Sequence, residues 1–446
     1  MKKIFQLCLL CCLLTTLAQG QETNSLTALD NRYFLNGSDT EQVFLYLSTV
    51  GGKAPEDKQR VPLNISIVID RSNSMKSAGK LDYVKKAAKL IVNNLSEKDY
   101  ISIVVYNDEV DVVQASTLVE KKYPLKKLIK GIEPAGVTNI SDGMLEGYEQ
   151  VQAAYDPHRV NRVLLLSDGL ANRGITKLAD LQQIAKTKYR GEKLAISTFG
   201  VGTTFNENLL TSLAEYGRGN YYFIDDAKKI PKIFGAELKG LLSVVAKNAQ
   251  IRLHFPSEYL SVAKVYGYKY ETEKDEVVID FNDIFAEEEK SVLIAFDVKK
   301  PFTDYLDFES TLAFEDVPND YEKKIVENKI RLKMTANATL HQESYDQEVL
   351  RNIILFKSIE FIERATLQVD EELFDEAKQT ILDNQAYLDE QFKRVVLDPI
   401  LEELYQINLN YGKKIARIKG MTKKDRRLLQ KTSKSKVYLL QKKRSQ

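Results

Sequence analysis

Between Val61 and Ala246 the chain alternates two kinds of pattern, and few folds accommodate that alternation. Leu63-Asn64-Ile65-Ser66-Ile67-Val68-Ile69 is a mostly apolar run, as expected for a strand buried on both faces. Leu81, Val84, Ala88, Ile91, Val92 and Leu95 then recur at helical spacing, with Lys85, Lys86, Lys89 and Asn93 on the opposite side. Tyr100 to Tyr106 is β-rich again, Ser141 to Ala154 is helical, and Arg162 to Leu166 reads as a second buried strand. Lys177 to Tyr189, Lys193 to Val201, Glu207 to Tyr216 and Tyr221 to Ile224 continue the series. Such repetition predicts a parallel sheet flanked by helices.

The period changes on either side. Ala249, Ile251, Leu253 and Phe255 alternate with Gln250, Arg252 and His254, and strand-like runs follow at 266–270, 277–281, 292–298, 310–314 and 330–334. These predict an antiparallel sheet or sandwich. Tyr266, Tyr268 and Tyr270 would share one face of a strand there. A similar run, Val43 to Val50, precedes the α/β section, so the α/β unit is expected to be inserted into a β-domain built from both flanks. After about Ser344 the pattern is helical; Leu373, Ala377, Ile381 and Leu388 fall on one face, and Pro399 marks a break or kink. The expected divisions are 1–20, 21–60, 61–246, 247–340 and 341–446.

Residues 1–20 read as a cleavable export signal: Lys2 and Lys3, an apolar run from Ile4 to Leu17, then Ala18-Gln19-Gly20 with small residues at −3 and −1. The run is short for a bilayer span, and no later stretch reaches the roughly 18 to 20 apolar residues that spanning needs. A periplasmic or cell-surface protein without a transmembrane span is expected. All three cysteines, Cys8, Cys11 and Cys12, lie in this segment, so the processed chain would have no disulfide, thiolate metal site or cysteine nucleophile. Charge is uneven at the other end. Residues 413–446 carry 14 Lys/Arg against one acid, on an otherwise acidic body. Such a block can contact an anionic surface or be a solvated helix face.

The chemistry gathers where the buried strands end. The first runs into Asp70-Arg71-Ser72-Asn73-Ser74-Met75, placing one carboxylate and two hydroxyls at alternate positions in a loop at the carboxyl end of a parallel strand. Gly136-Val137-Thr138-Asn139 opens the helix beginning near Ser141 and offers a third hydroxyl; Leu166-Ser167-Asp168-Gly169 ends the second buried strand and offers a second carboxylate. Taken singly, Asp70 and Asp168 could cap turns, and Ser72 and Ser74 could cap helices. Taken together they suit a hard cation such as Mg²⁺, which takes oxygen ligands and keeps waters. Neutral hydroxyls leave such an ion poorly neutralised, so it would gain from an outside carboxylate.

These residues resemble the von Willebrand factor type A family with its metal-ion-dependent adhesion site. The resemblance covers Val61 to Ala246 and includes Gly200-Val201-Gly202 and Tyr221-Tyr222-Phe223-Ile224. It implies a Rossmann-like, doubly wound, mostly parallel sheet, here flanked by a β-sandwich-like domain and a C-terminal helical region. It also implies a site for Mg²⁺ (or Mn²⁺) formed by Asp70, Ser72, Ser74, Thr138 and Asp168, with an Asp or Glu of a protein partner completing the shell. Asn73 stands where many members have glycine. The flanking sections look like those of exported bacterial members.

Other chemistries find little support. His158, His254 and His341 are scattered without zinc spacing, Gly200-Val201-Gly202 lacks the third glycine of a dinucleotide fingerprint, and no phosphate-binding loop is present. Ser72 and Ser74 have no assignable base. The expectation is a binding protein rather than an enzyme, with no nucleic-acid partner. Its alternative is an envelope scaffold acting through the basic tail, the metal site being only structural.

Overall fold

The computed structural model describes residues 22–37, 42–54, 60–168, 172–202 and 205–442. The proposed signal segment at 1–20, Gly169 and the last four residues lie outside them. Six strands form the central sheet in the order Val110–Leu118, Tyr100–Tyr106, Leu63–Asp70, Val160–Ser167, Ala195–Val201, Arg218–Ile224. All pair in parallel except Val110–Leu118, which is antiparallel at one edge. Every residue of Leu63–Asp70 and Val160–Ser167 is buried, which explains their near-continuous apolar sequences.

Helices cover both faces. Ile65, Ile67 and Ile69 pack with Val84, Ala88 and Ile91 of helix Lys80–Asn94 and with Phe234 and Leu238 of helix Ile230–Leu242. Val68, Val104, Val163 and Leu165 point the other way, toward Met144 and Tyr148 of helix Ile140–Ala153 and Leu209 and Leu213 of helix Glu207–Tyr216. Each fully buried aliphatic side chain contributes about 1.5–3 kcal/mol, so these two layers hold the sheet between them. Helix Ile140–Ala153 lies unusually close: a Cβ at Gly143 would sit 2.5 Å from the Tyr106 ring. Its first turn is fixed by Asn139, whose side chain accepts from the Asp142 amide.

Two antiparallel-rich sheets make the sandwich. One has the order Asn24–Leu29, Gln42–Val50, Glu289–Val298, Leu260–Tyr266; the other runs Glu271–Glu273, Glu276–Phe285, Val244–His254, Tyr305–Asp316, Glu322–Thr335, Tyr33–Leu35. Gln42–Val50, before the α/β unit, pairs with Glu289–Val298, after it, in a register that sets Leu45 opposite Ile294. Leu45, Leu47, Ile251, Ile279, Phe296 and Phe308 meet in its core. The three tyrosines do not share a strand face. The strand ends at Tyr266; Gly267, at φ 97°, breaks the alternation. Tyr266 then packs on Phe356, and Tyr268 turns edge-on to Phe281.

The helical region comprises Ala338–Glu343, Gln347–Asp370, Phe374–Gln391, Pro399–Ile415 and Lys423–Gln441. Ile354, Ile359, Ile381, Leu404 and Tyr411 form its core, while Val349, Ile353 and Phe356 seat the long helix on Phe44, Tyr46 and Leu293 of the sandwich. Pro399 opens a helix, at a position where its missing N–H costs nothing. No described helix is long and apolar enough to cross a membrane.

Polar and aromatic contacts fasten the α/β unit on more than one side. Arg162, 2% exposed, donates from Nη2 to Asp283 Oδ2 of the sandwich at 2.9 Å, and from Nη1 to Ser197 Oγ at 3.1 Å. On the far edge the last helix inserts Tyr438 into the second core layer, edge-on to Tyr221, and Lys431 Nζ donates to the Phe205 carbonyl at 2.8 Å above that ring.

Candidate functional site

The strand order creates the site. From Leu63–Asp70 the chain moves to one side of the sheet, and it later returns to the other side as Val160–Ser167, so the carboxyl end of Leu63–Asp70 is the switch point. The two strands are direct neighbours, with Ile69 opposite Leu166. Asp70 and Asp168 therefore leave the sheet side by side, and both are 0% exposed.

Hydrogen bonds shape the first loop around the Asp70 carboxylate. Oδ1 accepts from the Ser72 amide at 2.9 Å, and Oδ2 accepts from the Ser167 hydroxyl at 2.7 Å. The Ser72 and Ser74 hydroxyls lie 2.9 Å apart, which brings both to the same side as the carboxylate. Backbone bonds stitch this loop to the one carrying Thr138: Asn73 N donates to Gly136 O at 3.1 Å, and Ala135 N to Arg71 O at 2.7 Å. Thr138 is buried, and its amide is held by Asn172 Oδ1 at 3.0 Å. Four of the five expected groups, Asp70, Ser72, Ser74 and Asp168, are thus linked by side-chain contact or charge; Thr138 belongs to the neighbouring loop, which Ala135 and Gly136 join to theirs.

The electrostatics are those of an anionic pocket short of positive charge. Burial, and after it the neighbouring Asp168 carboxylate, push the Asp70 acid up to about 6, against the hydrogen bonds from Ser72 and Ser167. Burial and then the Asp70 charge hold the phenol of Tyr106, packed beside the pair, well above its ordinary range. Asp168 divides its oxygens. Oδ2 accepts from Lys80 Nζ at 2.9 Å, whereas Oδ1, equally buried, has no hydrogen-bond partner among the described residues. An orphaned carboxylate oxygen beside a second buried carboxylate is costly unless something cationic reaches it.

No three His, Cys, Asp or Glu side chains converge anywhere among the described residues, so a cation held here would rely on the hydroxyls for much of its shell. The residues fit a hard divalent ion on those terms: two acids, three alcohols and one unsatisfied anionic oxygen. Two clefts, one lined by Tyr155, Lys193 and Asp283 and one by Glu215, Tyr268 and Lys442, lie at the junctions with the sandwich and the last helix, away from Asp70. Sequence reasoning missed Lys80 and Ser167. A lysine before Leu81 at a helix start reads as solvated, and Ser167 was legible only as the residue preceding the acid.

The basic tail is engaged within the chain at some of its cations. Lys419 pairs with Asp375, Lys434 with Asp370 and Arg426 with Glu372, while Lys431 is buried against Phe205. Lys413, Lys414, Arg417, Lys423, Lys424, Arg427 and Lys436 remain exposed.

Comparison with known proteins agrees with this architecture. Residues 64–236 match the family model of the von Willebrand factor type A domain. Protein YfbK of Escherichia coli is 30% identical over 207 residues, covering 46% of this chain and 36% of that protein. Human inter-alpha-trypsin inhibitor heavy chain H3 is 31% identical over 176 residues, 37% of this chain and 19% of that protein. Protein sll0103 of Synechocystis is 26% identical, covering 51% of this chain and 53% of its own length. The chain thus spans about half or less of the curated relatives it matches. Among solved structures, the von Willebrand factor type A protein from Catenulispora acidiphila superposes with a TM-score of 0.68 at 14% identity, over 87% of this chain and 90% of its own. The ArnB paralog VWA2 from Sulfolobus acidocaldarius gives 0.59 at 16%, over 92% and 98%. Both likenesses extend beyond the central sheet and show the shared fold. The chain carries a von Willebrand factor type A domain at residues 64–236, set between flanking strands that pair into one sandwich and followed by a helical region.

Proposed function

We propose that this is an exported, metal-dependent protein-binding protein, acting in adhesion or complex assembly. Asp70, Ser72, Ser74, Thr138 and Asp168 would hold Mg²⁺ or Mn²⁺, and an Asp or Glu side chain of the partner would complete the shell. The observation that carries the reading is the buried Asp70–Asp168 pair, with one Asp168 oxygen unsatisfied among the described residues and serine hydroxyls gathered around Asp70. When bound, the ion supplies an electrophile at the sheet's carboxyl edge. The chain's own part is to fix the acids on adjacent strands, to present the hydroxyls from two cross-linked loops, and to keep the total ligand charge low. Export rests on the pattern of residues 1–20. Binding rather than catalysis is the activity proposed.

The alternative, in which the basic tail works on an anionic surface, is less favoured because the tail's helix is docked on the domain and several of its cations are paired internally. The test is capture of proteins from the native envelope by the full chain, with Mg²⁺ and with chelator, beside the Asp70→Ala variant. Capture that needs both the ion and Asp70 supports the reading. Capture indifferent to chelator and to the variant rejects it.

A further inference from the structure

We propose that Lys80 is a positioning residue for Asp168: a resident cation beneath the site that occupies one carboxylate oxygen, stabilises the metal-free domain, and weakens the hold on a divalent ion. The inference deepens the metal-site reading and rests on it.

The backbone is shaped to deliver this lysine. The turn Asn73–Gly79 ends in two left-handed residues, Ala78 at φ 55° and Gly79 at φ 68°, so that the following helix begins at Lys80 itself. A lysine at a helix start faces the positive end of the helix dipole, and it normally escapes into water. Here it is 5% exposed. Its stem lies along Gly202, which is at φ 81°; a Cβ at that position would stand 2.7 Å from Lys80 Cε and 3.3 Å from Cδ. A groove that only glycine leaves open thus carries the stem to the site, where Nζ meets Asp168 Oδ2 at 2.9 Å. Burying an ammonium against two unfavourable fields requires a compensating anion, and Asp168 provides it.

The charge count sets the consequence. Of these three groups, two carboxylates and one ammonium sum to one net negative charge, so the attraction they exert on a divalent ion is about half that of the acids alone. Once the ion is in, the assembly retains one net positive charge, which suits it to an outside carboxylate. Division of the Asp168 oxygens allows both states: Oδ2 stays with Lys80, and Oδ1 remains for the ion or its water.

The test is calorimetric titration of the chelator-stripped full chain with MgCl2, comparing wild type, Lys80→Met and Lys80→Gln, with Asp70→Ala as the site control. Removing a unit charge this close should tighten Mg²⁺ binding by at least about ten-fold in both Lys80 variants. It should also lower the metal-free melting temperature, with Mg²⁺ restoring more than it restores in wild type. A merely structural lysine would loosen binding when removed, so the direction separates the two roles. Should Lys80→Met not fold, Lys80→Gln, whose amide can still donate to Asp168, carries the measurement. Equal or weaker binding in a folded Lys80 variant, with wild type binding Mg²⁺ through Asp70, overturns the role of Lys80 alone. Absence of binding in wild type and in both variants overturns the metal site as well. Binding that appears only in the Lys80 variants upholds Lys80 as the resident cation.

Discussion

Replacing Asp70 with Asn should strengthen the metal-free domain and abolish its response to magnesium. The Asp70 acid, pushed up to about 6 from an ordinary value near 3.8, holds its proton more tightly in the folded chain than in the unfolded one. That stability is fully present below about pH 4 and is lost as pH rises through 6. At pH 7.5 the ionised carboxylate costs the metal-free domain about 3 kcal/mol, taking about 1.36 kcal/mol per unit. Asn carries no such cost. Its carbonyl can keep the Ser72 amide bond, and its NH2 can donate to the Ser167 hydroxyl, which now accepts, so the loop retains its shape. Magnesium at about a hundred times its Kd would return about 2.7 kcal/mol to the wild type and nothing to the variant. Amide hydrogen exchange over Leu63–Asp70 reads both effects locally, without requiring the whole chain to unfold as one unit. In chelator the variant should exchange more slowly than wild type, and the wild type alone should lose protection between pH 4 and pH 7. Faster exchange of the variant in chelator, or equal protection of both proteins by Mg²⁺, would refute the reasoning.

Ser72→Ala and Thr138→Ala should each weaken Mg²⁺ binding by about ten-fold or more, which is at least about 1.4 kcal/mol, with unchanged circular dichroism; titration calorimetry measures it. Asp283→Ala leaves Arg162 buried without its nearest carboxylate and should cost about 3–5 kcal/mol, seen as faster exchange over Val160–Ser167 and Val244–His254. Tyr438→Ala opens a cavity against Tyr221 and should cost about 3–5 kcal/mol, with lost protection confined to the edge strand Arg218–Ile224 and the last helix; unchanged exchange there would mean that the helix is not docked.

The parts of the fold legible in the sequence are those in which a single physical demand shapes every residue. Leu63–Asp70 and Val160–Ser167 are buried on both faces, so their sequences admit little but apolar side chains, and their ends mark where Asp70 and Asp168 emerge. Edges gave no such signal. Val110–Leu118 is half exposed along its length and carries Asp111, Gln114 and Ser116, so it has neither an apolar run nor a clean alternation. Helices Lys122–Lys130 and Ile230–Leu242 were not named from the sequence; each carries a proline, Pro124 or Pro231, in its first turn, where proline is tolerated. At the site, chemistry type and spacing pointed to the acids and hydroxyls. The inward turn of Lys80 depends on Gly202, more than a hundred residues away, and no local pattern carries that relation.

The docking of Tyr438 and Lys431 bears on how a load would travel through the molecule. A domain hung only from the two chain segments that enter and leave it would swing like a pendant when pulled by a captured partner. Here the outer strand is tethered by the last helix, and the start of the inner strand Val160–Ser167 is clasped through Arg162 and Asp283. Tension arriving at the carboxyl edge is therefore shared among several anchors and passes into the sandwich. Trimming the chain at residue 413 to remove its positive charge would cut one of those anchors, so loss of grip in such a truncation would report a mechanical failure before it reported anything about charge.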